Sequence, residues 1–175
     1  NSLAASNAAG TLNWSGSVTL PPGTNVIRAF AVDFAGNISV SDAIVVRFVS
    51  PTNDLFSSAG RITGVGGVFN AQTRTARREA GEPLHAGNEG GHSIWYSFRS
   101  ASVGTLFLTT ANSTFDTILG IYTGDSVTNL TEVASNDDAF EGGKYSELLI
   151  TTLSNQLYYI VVDGYGGTFG TSVLQ

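Results

Sequence analysis

An acidic loop, Asn136-Asp137-Asp138 followed by Glu141, is the densest group of candidate metal ligands in the chain. Calcium binds six to eight oxygen atoms from carboxylates, amides and main-chain carbonyls, usually on loops that fold around the ion. Adjacent carboxylates repel each other unless a cation or backbone N–H groups compensate them. The loop therefore predicts a Ca2+ site. The alternative is a turn in which Asn136 and Asp137 bond their own backbone.

Three further candidate ligands, Glu82, His85 and His92, are close in sequence. Their spacing matches no zinc-site pattern, and no histidine pair has the i, i+4 spacing of a helical site. We therefore interpret His85 as a hydrogen-bonded loop residue that fixes the glycines after it. No G-x-S-x-G sequence indicates a serine hydrolase, and we interpret the strand-end carboxylates Asp116 and Asp163 as turn-fixing groups rather than an acid/base pair.

The composition excludes some classes of function. The chain has 175 residues, no cysteine, a formal net charge of -6 and 13% charged residues. Nucleic-acid binding needs clustered lysine and arginine, and the cluster Arg74, Arg77 and Arg78 is better explained as a solvated loop. No apolar run reaches the roughly 20 residues that span a bilayer. We expect no nucleic-acid partner and no membrane span, with bound calcium as one substitute for disulfides.

The elements that position these residues are predicted to be strands. At 93–99 Ile94, Tyr96 and Phe98 alternate with polar residues, which is the pattern of a strand with one buried face. Trp95 interrupts the polar side, so it needs a second layer or a partner for its indole N–H. Later strands follow at the spacing of a β-sandwich: 104–110, 117–122, 130–134, 147–153, 157–163 and 168–174. The strands at 117–122 and 157–163 contain near-continuous apolar runs, which predict central strands.

Three elements are predicted between residue 50 and the first of these strands. A helical turn is expected at 55–59 and a glycine-rich strand at 61–69, where close packing explains the glycines better than phosphate binding does. A short helix is expected at 71–80.

Four ordered motifs carry a family resemblance: GEPLHAGNEGGHSIWYSF at 81–98, FDTILGIYTG at 115–124, ASNDD at 134–138 and YYIVVDGYGG at 158–167. Together they resemble the bacterial pre-peptidase C-terminal domain, a module appended to secreted proteases and other exported proteins. The resemblance covers about 51–175. It implies an antiparallel, jelly-roll-like β-sandwich, export from the cell and a role in binding rather than catalysis.

The resemblance extends to the collagen-binding modules of clostridial collagenases, which carry calcium ligands at the domain entrance. Asn53 and Asp54 occupy that place here, so the resemblance implies that they bind calcium. The acidic pair that the family carries before the next core strand is missing, and Glu82 and Asn88 are nearby oxygen ligands that would substitute for it. The alternative for Asp54 is a cap on the helical turn at 55–59.

The first fifty residues carry a second resemblance. PPGTNVIRAFAVDFAGNIS resembles the closing strands of a bacterial immunoglobulin-like domain, over about 14–49. A complete sandwich of that kind has about seven strands, and we predict three, at 17–20, 25–33 and 38–49.

The second predicted strand is apolar on both faces. Ile27 lies on one face, and Val26, Phe30 and Val32 lie on the other. Strands of this kind are covered on both faces or expose a surface that invites association. We therefore expect Val26, Phe30 and Val32 to contact a partner outside the visible chain.

These observations predict two domains, a partial immunoglobulin-like domain at 1–50 and a sandwich at 51–175. We expect a non-catalytic, secreted bacterial module for adhesion, substrate targeting or assembly, with a protein or polysaccharide ligand. Tyr165, flanked by glycines, is the aromatic residue expected to contact that ligand. One alternative is a repeating subunit of an extracellular filament, completed by strands of neighbouring copies. Another is an accessory part of a secreted protease.

Overall fold

The computed structural model describes residues 18, 20, 21 and 23–175. The chain forms two compact units that divide between Val49 and Ser50. The first contains an antiparallel two-stranded ribbon, in which β1 (Gly23–Ala29) pairs with β2 (Asp42–Phe48). Of the strand predicted at 17–20, residues 17 and 19 lie outside the described residues, and Val18 and Leu20 are not in a strand.

The turn of the ribbon shortens both strands relative to the prediction. Asp33 Oδ1 accepts hydrogen bonds from the backbone N–H groups of Ala35 (2.9 Å) and Asn37 (2.8 Å), and its Oδ2 accepts one from the Asn37 side chain (2.8 Å). Gly36 adopts a φ of +86° within this turn. The regular ladder ends at the pair Ala29–Asp42, and between that pair and the turn the strand pairing is reduced to the isolated bridge Val32–Ile38.

The second unit contains nine strands and two 3-10 turns, all within residues 50–175. The turns are Phe56–Ser58 and Tyr165–Gly167. The strands are β3 (Gly60–Ile62), β4 (Phe69–Gln72), β5 (Ile94–Arg99), β6 (Gly104–Thr109), β7 (Thr117–Gly124), β8 (Leu130–Asn136), β9 (Glu147–Thr152), β10 (Leu157–Gly164) and β11 (Thr171–Leu174).

Five of these strands form one sheet, in the order β3-β5-β10-β7-β8. Neighbours are antiparallel, except that β3 runs parallel to β5. The other four strands form the ribbons β4–β11 and β6–β9. Reciprocal backbone hydrogen bonds between Thr109 and Gln175, each 3.0 Å, connect the two ribbons. The strands predicted to be central, β7 and β10, each have neighbours on both sides.

The hydrophobic core lies between the five-stranded sheet and the two ribbons. Ile94, Leu119 and Ile160 of the sheet are fully buried in one cluster with Leu108 and Leu174 of the ribbons. Burial of apolar surface contributes about 25 cal/mol per Å², so this layer is the main source of stability. The second unit is therefore an all-β sandwich, as the sequence predicted.

A second apolar cluster covers the opposite face of the sheet. Trp95, Tyr122 and Val161 pack there with Phe56, whose ring meets that of Trp95 edge-on at 5.3 Å between centroids. This second layer explains why β7 and β10 are apolar on both faces. Among the described residues the indole N–H of Trp95 has no hydrogen-bond partner. The buried position of Trp95 is therefore explained by packing in this second layer and not by a hydrogen bond of its indole N–H.

The predictions for 61–80 are wrong in two places. The strand predicted at 61–69 is two strands, because an irregular segment at 63–68 separates β3 from β4. β4 joins the opposite layer. The helix predicted at 71–80 does not form. Its first residues belong to β4, whose backbone groups pair with β11, and the rest is irregular loop with short turns. Pairing with a strand about a hundred residues away therefore overrides the local helical preference.

The structure also bears on the expected absence of a membrane span. No helix among the described residues is long and apolar enough to cross a membrane.

Candidate functional site

The loop before β5 is organised around one buried carboxylate. Asp163, in β10, is 0% exposed and accepts hydrogen bonds from the backbone N–H groups of Gly91 (3.0 Å), His92 (2.8 Å) and Gly164 (2.7 Å). Gly90 has a φ of +58°, and a Cβ placed on it would lie 1.7 Å from Asp163 Oδ2. The carboxylate therefore fixes the turn, and the turn requires glycine.

The pKa of Asp163 is set by two opposing effects. Burial raises it because desolvation disfavours the charged form, and the N–H groups of His92, Gly164 and Gly91 lower it by stabilising that form. Burial is the larger effect, so the pKa of Asp163 lies above its ordinary value.

A buried polar chain lies behind the same loop. His85 is 0% exposed, with Nδ1 2.8 Å from the Tyr122 hydroxyl and Nε2 2.8 Å from Glu82 Oε1. The other carboxylate oxygen of Glu82 accepts from the Glu79 backbone N–H at 2.7 Å. With Glu82 ionised, Nε2 carries the proton and Nδ1 accepts from the tyrosine. Both ring nitrogens are thus occupied, and His85 is the hydrogen-bonded loop residue that the sequence predicted.

The hydroxyl of Tyr122 remains protonated in this chain. Burial raises the pKa of Tyr122 well above its usual value, and the negative charges of Glu132 and Glu82 raise it further. A protonated hydroxyl can donate to the His85 ring, which explains why a tyrosine is accommodated in the second apolar cluster.

The candidate transition-metal ligands are only partly brought together. Side-chain ligand atoms of Glu82, His85 and Asp163 lie within 4.8 Å of one another. His92 is directed elsewhere, since its Nδ1 is 2.9 Å from the Ala76 carbonyl oxygen and its ring stacks edge-on against Phe169. Both ring nitrogens of His85 have hydrogen-bond partners, and so does the Asp163 carboxylate. The polar atoms of this group are therefore satisfied within the protein.

The entrance pair Asn53 and Asp54 is buried and internally bonded. Asn53 donates from Nδ2 to the Trp95 carbonyl oxygen at 3.1 Å, and Asp54 Oδ1 accepts from the Arg77 backbone N–H at 2.7 Å. The predicted cap of Asp54 on the helical turn is wrong, because the turn has no side-chain cap at its start and the N–H of Phe56 donates to Glu79 instead. Calcium binding at Asn53, Asp54 and Glu82 stays a prediction.

A second group of carboxylates lies where the start of β7 meets the end of β8. Side-chain oxygens of Asp116, Asp137 and Asp138 lie within 4.8 Å of one another. Burial raises the pKa of Asp116 and of Asp137, and in both the charge of Asp138 raises it further. Sequence reasoning placed Asp137 and Asp138 in a candidate metal site, whereas it interpreted Asp116 as a turn-fixing carboxylate. The signal that could have grouped Asp116 with the other two is antiparallel pairing of neighbouring strands, which brings the start of one strand beside the end of the next.

Asn136 and Glu141, the other acidic-loop candidates, have different surroundings. Asn136 Oδ1 accepts from the Glu147 backbone N–H at 2.9 Å, and its Nδ2 donates to the Asp138 carbonyl oxygen at 3.0 Å. Asn136 therefore shapes the loop through backbone bonds, which is what the turn alternative predicted for it. Glu141 is exposed and lies outside the three-carboxylate group.

The predicted contact residues are exposed. Tyr165 is 48% exposed within the turn Tyr165–Gly167, and Val26, Phe30 and Val32 are 54%, 53% and 57% exposed. Tyr165 is held at its backbone, because its N–H donates to the Asp116 carbonyl oxygen at 2.9 Å. The turn therefore presents an aromatic ring from a fixed backbone.

Comparisons with known proteins give one kind of match. No family model and no curated protein matches the chain. A search of solved structures finds the 1.0 Å crystal structure of the pre-peptidase C-terminal domain of a collagenase from Bacillus anthracis. The match covers 67% of this chain and 92% of that one, with 16% sequence identity and a TM-score of 0.44.

Proposed function

We propose that the chain is a non-catalytic, extracellular module of a secreted bacterial protein, which acts by binding a protein or polysaccharide ligand. The observation that carries this proposal is the position of His85. A general base must reach its substrate, whereas His85 is fully buried with both ring nitrogens bonded to Tyr122 and Glu82. The group best suited to acid/base chemistry is therefore part of the scaffold.

The surface of the sandwich offers an aromatic contact. Tyr165 is exposed, and Phe169 in the same loop is 42% exposed. The Arg74 guanidinium lies over the Phe169 ring, 5.0 Å from its centroid, and the His92 ring meets it edge-on at 4.9 Å between centroids. Exposed aromatic side chains with an arginine nearby are frequent in binding surfaces. This loop is the proposed contact surface for adhesion or substrate targeting.

A binding assay with a matched control tests the proposal. The purified chain is incubated with fibrillar collagen and with insoluble polysaccharides, and Tyr165→Ala is compared with Phe107→Ala, a similarly exposed aromatic in β6 (52% exposed). We expect Tyr165→Ala to weaken binding about tenfold and Phe107→Ala to leave it unchanged. Equal binding by both variants contradicts the contact assignment.

A hydrolysis assay tests the non-catalytic part. Protein, ester and glycoside substrates are incubated with the wild-type chain, and we expect no turnover. Reproducible hydrolysis that His92→Gln or His85→Gln abolishes, in a variant shown by circular dichroism to be folded, overturns the proposal.

A second candidate function, assembly into filaments, is favoured by the exposed faces of the ribbon. Val26, Phe30 and Val32 are more than half exposed, as are Ile44 and Val45 of β2. Exposed apolar strands pair readily with strands of other molecules. Sedimentation velocity should show association that the double variant Val26→Thr, Phe30→Ser reduces. A monomer at every concentration tested, for the wild-type chain, contradicts assembly.

A further inference from the structure

The carboxylates of Asp116, Asp137 and Asp138 meet because two neighbouring strands are antiparallel. Asp116 immediately precedes β7, and Asp137 and Asp138 immediately follow β8. The pairing of Leu119 with Asn136 places the start of one strand beside the end of the other. The three side chains consequently converge from two separate segments of the chain, with ligand oxygens within 4.8 Å of one another.

Two of these oxygens have no partner. Oδ1 of Asp116 and Oδ1 of Asp137 are both buried from solvent, and neither has a hydrogen-bond donor among the described residues. The carboxylates of Asp54 and Asp163, by contrast, accept backbone N–H bonds. A solvent-shielded carboxylate oxygen without a hydrogen-bond donor is unfavourable, and here two such oxygens belong to carboxylates of one acidic group. Asp116 and Asp137 are partly buried in this group, and Asp138 is exposed.

We propose that Asp116, Asp137 and Asp138 bind one calcium ion. Calcium binds oxygen at 2.3–2.6 Å, so ligands on opposite sides of the ion are about 5 Å apart, which accommodates the separations present. The ion supplies the missing partner of the two buried oxygens and offsets the repulsion among three carboxylates. Asn136 contributes by fixing the loop backbone through its bonds to Glu147 and Asp138.

The site is connected to the proposed contact loop. The Asp116 carbonyl oxygen accepts hydrogen bonds from the Tyr165 backbone N–H and from the Thr168 hydroxyl, both at 2.9 Å. An ion that holds Asp116 therefore also stabilises the turn that presents Tyr165. This link to ligand binding rests on the proposed function, whereas the calcium site does not.

The test measures calcium binding and stability with the full 175-residue chain. CaCl2 is titrated by isothermal titration calorimetry, and thermal unfolding is compared in excess CaCl2 and in excess chelator. Wild type should bind with saturation and melt about 10 °C higher at a hundredfold excess of calcium over Kd. Asp116→Asn and Asp137→Asn should each weaken calcium binding at least tenfold.

The variants also report on folding. In chelator, Asp116→Asn should melt at or above the wild-type temperature, because it removes one of three neighbouring negative charges. The control is Asp125→Asn, which removes the same charge from an exposed residue directly after β7, at the opposite end of that strand. It should bind calcium like the wild type.

Hydrogen exchange checks the connection to Tyr165. Calcium should slow exchange of the backbone amides at 164–168 in the wild type and not in Asp116→Asn.

Three outcomes overturn the site. The first is no calcium response in the wild type. The second is undiminished affinity in both Asp116→Asn and Asp137→Asn. The third is an affinity lost in Asp54→Asn and retained in Asp116→Asn, which assigns the ion to the domain entrance. None of these affects the comparison of Tyr165→Ala with Phe107→Ala, so failure of the calcium site and failure of the proposed function are distinguishable.

Discussion

Each unit of the chain contains a glycine turn built on one aspartate, and the two turns differ in burial. Asp33, in the ribbon, accepts bonds from Ala35 and Asn37 while remaining exposed to solvent. Asp163, in the sandwich, accepts bonds from Gly91 and His92 while fully buried. The local chemistry is the same, since a carboxylate accepts backbone N–H bonds in both.

The pKa values of the two aspartates move in opposite directions. Hydrogen bonds from the side chain and backbone of Asn37 lower the pKa of Asp33 by stabilising its charged form, and the residue remains exposed to water. Burial raises the pKa of Asp163 despite its N–H partners. The comparison shows that hydrogen bonds set the pKa where solvent is present, and that desolvation outweighs them where it is absent.

The surroundings differ in the same way. The ribbon exposes apolar side chains on β1 and β2, whereas the central strands β5, β10 and β7 of the five-stranded sheet are covered on both faces. A substitution in the ribbon is therefore expected to change association more than stability. A substitution in the sandwich is expected to change stability more than association.

The largest effect is expected from Gly90→Ala. The added Cβ would overlap the Asp163 carboxylate, and the φ of +58° disfavours alanine. Loss of the buried carboxylate's bonds should lower the free energy of unfolding by about 3 kcal/mol or more, measured by urea unfolding. The control is Gly87→Ala, which has a φ of +77° and nothing within 4 Å, and should cost about 1 kcal/mol. Equal losses would show that backbone conformation alone requires glycine.

An intermediate effect is expected from Tyr122→Phe. The variant keeps the ring but removes the hydroxyl that lies 2.8 Å from His85 Nδ1. A buried ring nitrogen without a partner should cost about 1–3 kcal/mol, again measured by urea unfolding. Tyr165→Phe removes a hydroxyl from an exposed ring and should change stability by less than about 0.5 kcal/mol. Similar values for the two variants would contradict the structural role of the buried chain.

The smallest effect is expected from Asn37→Ala in the exposed turn. Because hydrogen bonds lower the pKa of Asp33, its stabilising contribution is present above its ordinary pKa and is lost as the pH falls through the lowered value. Removing the Asn37 side chain should raise the pKa of Asp33 towards 3.8, measured by NMR titration of the carboxyl carbon. Asn70→Ala in β4 should leave it unchanged. An unaltered pKa in Asn37→Ala would assign the shift to backbone donors.

Much of the fold could be predicted from the sequence because strand periodicity is a local property. Alternation at 93–99 and continuous apolar runs in β7 and β10 record which side chains are buried, and the structure has strands at these places. The 3-10 turn at Phe56–Ser58 was likewise predicted from its own residues.

Only the tertiary structure decided which distant groups meet. Asp163 bonds His92 across 71 residues, Asp54 bonds Arg77 across 23, and Asp116 joins Asp137 and Asp138 through the antiparallel pairing of β7 with β8. A periodic pattern indicates that a residue is buried, but it does not indicate which other residues cover it. The partner of each carboxylate depends on strand order, which is settled by packing of the whole core, and strand order determines whether a carboxylate meets N–H groups or other carboxylates.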